Sequence, residues 1–274
     1  MHVSLDSALG RQRRLNSVGE SVLQIAPSAA AAYSLRSLTG GDPKVVRVRR
    51  SSDNAESDFT ASGVSSGALV DFVGSGNDGF VETWYDQSGN SNDAVQATAG
   101  SQPKIVSAGS FLNELDFDGT DDNFELTSVL GMTSAGSIFS VAESGGGNDK
   151  IILDNRDSGT DGFRVLRFGD AFEFRWHSAI VDTTTNPGSN TRFLGFSNHD
   201  GSDASAAVNG ATATTTSNTS VLSVTSKPHI GARSFSSTAS FWDGTINELI
   251  IYNSDQSSSR VALETNINSH YSIF

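Results

Sequence analysis

From residue 80 to residue 253 the chain is a succession of short apolar bursts, each cut off within a few residues by Gly, Asn, Asp or Ser. A helix needs an apolar stripe sustained over several turns, whereas a strand needs only a few β-branched or aromatic residues between turn formers. FVETWYD, DAVQAT, PKIV, ELDFD, NFELTS, SIFSVAES, KIILDN, FRVLRFG, AFEFRWH, TRFLGFSN, SAAVNG, KPHIGAR and NELIIYN therefore read as strands. VVRVRR at 45–50 reads as another, with Val46 and Val48 on one face and Arg47 and Arg49 on the other. So many short strands bury their apolar faces in a sandwich or a barrel. The expected fold is all-β, an antiparallel sandwich, and 274 residues suit one such domain.

Helices are expected only at the margins. SAAAAYSLRSL, after Pro27, is alanine-rich with Tyr33, Leu35 and Leu38 at helical spacing and closes on Gly40-Gly41. SSGALVDFVGSG at 65–76 predicts a short helix capped by Ser65 or Ser66 and ended by Gly74, and SSSRVALETNINSHY predicts a Ser-capped C-terminal one. The Thr/Ser tract at 211–226 reads as an edge hairpin anchored by Val221, Leu222 and Val224.

The formal net charge of −13 opposes general nucleic-acid binding. It is unevenly spread: residues 1–50 hold 8 Lys+Arg and 3 Asp+Glu, and the remainder 10 and 28. Residues 1–27, with Arg11, Arg13 and Arg14, read either as a floppy terminus or as an arm that orders against a partner. Residues 28–274 form the expected domain. No apolar run suits a membrane span or a signal peptide, which predicts a soluble protein not secreted by that route. With no cysteine, stability rests on packing.

Two stretches carry a resemblance. FWDGTINELIIYN at 241–253, followed by the Ser-capped helix, looks like the closing strand and helix of concanavalin A-like (laminin G-like) jelly-roll domains. AAYSLRSL, VVRVRRSSDNAESDF and TWYDQSGNSNDAVQAT resemble, in the same order, the opening of the catalytic domain of arabinofuranosidase B-type glycosidases, and also modules of bacteriophage and marine bacterial proteins. The resemblance implies a jelly roll in which YDQSG belongs to the scaffold. It also implies catalytic carboxylates and a sugar-packing vicinal cysteine pair farther along; the cysteines are absent here, and no carboxylate matches the nucleophile segment.

Candidate chemistry is sparse. Alternation puts Phe80, Glu82, Trp84 and Asp86 on one face, with Asp86 accepting backbone N–H groups of the following turn or, with Trp84, touching a ligand. Asp116, Asp118, Asp121 and Asp122 crowd around Gly119, as a Ca²⁺ ion would require, although Asp-Gly-Thr-Asp is also ordinary hairpin chemistry. GGGNDK and LDNRDSGTDG (145–162) read as loops; as a sugar site they would use Trp176 or Trp242 for the flat face. Glu143, Glu173 and Glu248 lie on expected strands, and the scattered His177, His199, His229 and His270 give no zinc spacing.

These features lead to the expectation of a non-catalytic bacteriophage virion protein, a capsid decoration or tail component. It would be made in the host cytoplasm, self-associate, dock on other virion proteins through its arm and display the sandwich outward. The alternatives are a carbohydrate-binding module for a cell-surface glycan and an arabinofuranosidase-like glycoside hydrolase. No cofactor is expected apart from Ca²⁺.

Overall fold

A computed structural model describes residues 19–274. Arg11, Arg13, Arg14 and most of the expected arm lie outside the described residues.

The chain forms an antiparallel β-sandwich of jelly-roll type. One sheet runs in the order Ala31–Ser34, Asp243–Tyr252, Gly136–Ser144, Phe193–His199, Asp203–Val208, Thr214–Ser217. The other runs Glu56–Thr60, Lys44–Arg50, Gly79–Trp84, Ala94–Val95, Phe124–Leu126, His229–Ile230, Lys150–Arg156, Gly162–Phe168, Ala171–Trp176, Ala179–Asp182. Strands Lys104–Ser107 and Ser110–Asp118 link the two along one side.

Val46, Val81, Trp84, Phe124, Val165 and Phe174 of the second sheet meet Ile138, Phe193, Leu249 and Ile251 of the first in the core between them. The first sheet is covered on its outer face as well. There Phe139, Leu194, Ile250 and Tyr252 pack beneath Val22, from the short helix Val22–Ile25, and beneath Leu263 and Ile267, from the C-terminal helix Arg260–Tyr271. Burial on both faces is why SIFSVA and ELIIY are apolar almost without alternation.

Three local expectations are corrected. The alanine-rich run is not a helix: Ala31–Ser34 is a strand, buried throughout and paired with residues 248–251. Ala31 and Tyr33 face the inter-sheet core and Ala32 the helix-covered layer, so pairing with a distant strand overrides alanine's local preference. The helix Ala68–Val73 does end at Gly74, but Gly67 caps it, because Ser65 closes the preceding helix Ala61–Ser65. Finally, Phe80 and Trp84 do not share a face. Register slips between Arg47↔Thr83 and Val48↔Val81, a bulge at Glu82 that turns Trp84 inward. Phe80 instead lies outside under Arg49 and Lys104, at 4.9 and 5.6 Å from its ring.

The C-terminal helix and the strands VVRVRR and FVETW stand where expected. In the Thr/Ser tract only Thr214–Ser217 is a strand, with Leu222 buried beyond it. Among the described residues no helix is long and apolar enough to cross a membrane.

Candidate functional site

Strand Asp243–Tyr252 changes neighbour along one edge. Residues 243–246 pair with Ser110–Asp118, and residues 248–251 pair with Ala31–Ser34. Asn247 falls between them, and the opposite edge skips it too, passing from Ile246↔Ala142 to Glu248↔Val141. Two strands thus part at a bulge, a geometry that re-aims side chains. A cleft of about 430 Å³ opens there, walled by Arg36, Asp42, Phe111, Asn113, His270 and Tyr271.

Beneath the cleft lies one buried charge pair. Arg36 grips Glu248 with two parallel bonds, Nε to Oε2 at 2.7 Å and Nη2 to Oε1 at 2.9 Å. Ser34 Oγ and Tyr271 OH also donate to Oε2, at 2.9 and 3.2 Å. Glu248 is 1% exposed, so its charge is answered inside the protein. Burial works against the charge on Arg36, but Glu248 outweighs it and the pKa is raised. Burial, then the Glu248 charge, pushes the Tyr271 phenol well up.

Burial, with Arg36 behind it, lowers His270, which therefore enters the cleft wall as a neutral ring near pH 7. Hydrogen bonds from the Ser62 hydroxyl and N–H, at 2.6 and 2.8 Å, hold Asp42 below the usual carboxylate range. Asn247 Nδ2 donates to Asn113 O at 3.4 Å, while its buried Oδ1 has no partner among the described residues.

The YDQSG word ties this site to the scaffold. Asp86 accepts from the N–H groups of Ala32 and Ser88, both at 2.8 Å, and of Asn92 at 3.1 Å. Gln87 Nε2 donates to the carbonyls of Ser34 and Arg36, both at 3.0 Å, and its Oε1 accepts from Leu38 N at 2.8 Å. The word thus clamps the segment that carries Arg36. Tyr85 points the other way, its hydroxyl donating to Asp58 at 2.7 Å and its pKa pushed up to about 12 by burial and then by that bond.

The three candidate indoles are placed in the core. Trp84, Trp176 and Trp242 are each 0% exposed, so their faces are covered by protein and offer a sugar no stacking surface. Tyr33 packs on Trp84 at 5.5 Å, and His199 stacks on Trp176 at 4.2 Å. Glu173 is buried against Arg175, and His229 lies beside Glu125. Arg36, Phe111, Asn113, Asn247 and Tyr271 carry no sequence motif; the nearest signal was Glu248, an acid inside the apolar run of a strand.

Of the acidic group, Asp118, Asp121 and Asp122 bring carboxylate oxygens within 4.8 Å of one another, and Asp116 stands apart on its strand. Asp122 Oδ2 accepts from Asp118 N at 3.0 Å. Burial, helped by the charges of Asp118 and Asp121, still pushes Asp122 up to about 7. The like charges are thereby relieved by a proton. The folded chain holds that proton above the ordinary carboxylate range, so the associated stability is complete below about pH 4 and lost as pH rises to about 7. Asp122→Asn is expected to abolish this slope and to be more stable than wild type at pH 8 by roughly 2 kcal/mol. Urea midpoints at pH 4 and pH 8 measure both effects. Calcium that stabilised wild type at pH 8, but not the variant, would assign the cluster to a cation instead.

No family model matches the chain, and no curated protein matches it in sequence. Solved structures do match. A GH54 α-L-arabinofuranosidase soaked with a cyclic sulfate inhibitor aligns at 13% identity and a TM-score of 0.65, over 90% of this chain and 64% of that one. A mutant GH54 enzyme soaked with 4-nitrophenyl α-L-arabinofuranoside gives 14% and 0.67 over the same shares. An arabinofuranosidase complexed with arabinofuranosyl-α-1,2-xylobiose gives 14% and 0.63, over 87% and 62%. The chain spans under two thirds of the length of these three, and at such identity what is shared is the fold.

Proposed function

We propose that the protein is a carbohydrate-binding β-sandwich that takes a neutral glycan into the cleft beside Asn247. The observation that carries this reading is the cleft itself. It sets a guanidinium, a carboxylate, amides and a neutral imidazole around one cavity, with Phe111 supplying an apolar ring. Sugars are recognised by such a mixture of directed hydrogen bonds and a flat apolar face. That three similar solved structures are arabinofuranosidases supports a glycan as the ligand class.

Binding is favoured over hydrolysis by the state of the carboxylates. Glycosidases work with two, one of them a poised acid. Glu248 has both oxygens engaged by Arg36, and Asp42, on the cleft wall, has its pKa lowered rather than raised. The virion reading has less support: its docking arginines lie outside the described residues, and nothing in the fold or its likenesses points to a particle.

Titration of an arabinofuranosyl xylo-oligosaccharide into the full chain tests the proposal. Saturable binding is expected, weakened about tenfold by Phe111→Ala or Asp42→Ala, with no release of nitrophenol from 4-nitrophenyl α-L-arabinofuranoside. Absence of binding to any neutral oligosaccharide, or binding indifferent to both substitutions, would overturn it.

A further inference from the structure

Far along the second sheet, strand register gathers cations that the overall composition does not foreshadow. On its outer face Arg164 stands directly opposite Arg175, and Arg156 ends the neighbouring strand opposite Gly162. A groove of about 180 Å³ lies among these arginines, with Thr160, His177 and Ile180 on its rim. Like charges directly opposite on a sheet face are destabilising. Placing them together on a chain of net charge −13 is therefore a cost that calls for a counter-ion.

The protein gives each of these arginines one carboxylate but leaves hydrogen-bond donors over. Asp154 takes Nε and Nη2 of Arg156 at 2.9 and 2.6 Å, and Glu173 takes Nε of Arg175. Among the described residues Arg164 reaches only Asp149, at 3.4 Å, and its side chain is 11% exposed. Its Nε is buried without a hydrogen-bond partner among the described residues. Burial, with Arg156 and Arg175 next in order, depresses the pKa of this guanidinium. In Arg156 and Arg175 the acids occupy the Nε side, and no hydrogen bond among the described residues takes the Nη groups of Arg175 or Nη1 of Arg156. A guanidinium fork with free outer donors matches a planar carboxylate with two parallel bonds.

We propose that this groove is a second binding site, specific for the carboxylate of an acidic sugar such as a hexuronate. It is separate from the cleft beside Asn247 and does not rest on the function proposed for that cleft. The small volume suits one sugar residue presented by its acidic edge, with the exposed Ile180 and the His177 ring beside it.

An NMR titration of the full wild-type chain with sodium glucuronate, glucose and sodium sulfate, each in turn at constant ionic strength, tests this without any substitution. Glucuronate is expected to shift the His177 ring signals and the Arg164 Nε–H signal saturably, and glucose to leave them in place. Arg164→Gln, and separately the partly exposed Arg175→Gln, should each weaken glucuronate at least tenfold. Equal responses to glucose and glucuronate, no response to glucuronate, or sulfate binding as tightly as glucuronate would overturn the proposal. The last result would mark a site for free inorganic anions only. Unchanged glucuronate binding in a Phe111→Ala variant whose affinity for the neutral oligosaccharide has fallen would confirm that the two sites are distinct.

Discussion

Glu248→Ala is expected to lower stability by about 3–5 kcal/mol, because it leaves Arg36 in a largely dry site with no opposing charge. For a domain of this size that corresponds to a fall in Tm of roughly 10 °C. Ser34 Oγ and Tyr271 OH lose the same acceptor, although the two hydroxyls remain within 3.3 Å of each other. The double substitution Arg36→Met with Glu248→Leu should recover most of the loss, since it removes both charges and refills their volume. Thermal unfolding of the three proteins decides between an orphaned charge and a simple cavity. If the double variant were as unstable as Glu248→Ala, packing rather than charge would be the cause. A recovered double variant that no longer bound the neutral oligosaccharide would further place Arg36 in recognition.

Gly244→Ala should be comparably damaging, by at least about 3 kcal/mol. Gly244 has φ +131°, a conformation open to glycine and to few other residues. A Cβ there would sit 2.2 Å from Glu143 O and 3.0 Å from Ser144 Cα. Both are backbone atoms of a strand held in register against Thr245 and Gly244, and Ser144 O also accepts from Asn190 N at 2.8 Å, so neither can withdraw cheaply. The expected signature in urea is a lower midpoint with an unchanged slope, meaning that the fold persists and is weakened. A midpoint within experimental error of wild type would show that this corner of the sandwich yields more easily than its hydrogen bonds imply.

How far the chain could be read from its letters depended on the range of the interactions involved. Most strands were legible because apolar bursts and turn residues are local signals, and the role of Asp86 was legible because an aspartate capping its own turn reaches only two to six residues ahead. Ala31–Ser34 was not, because its partner, Asp243–Tyr252, lies more than two hundred residues away and supplies what alanine's helix preference would otherwise decide. The face occupied by Phe80 was hidden for a related reason: a bulge is a mismatch between two strands, and one strand alone does not contain it.

The same division separates the scaffold from its sites. Local patterning along the chain was enough for an all-β sandwich, its turns and its lack of disulfides, since period, turn chemistry and composition act over a few residues. Only the tertiary structure buried all three tryptophans and set Arg36 on Glu248 across 212 positions of chain. It alone opened a cleft where two strands part at Asn247 and put Arg164 opposite Arg175. Clefts and charge clusters belong to strand register and to the meeting of distant segments, and those are settled when the two sheets close over one core.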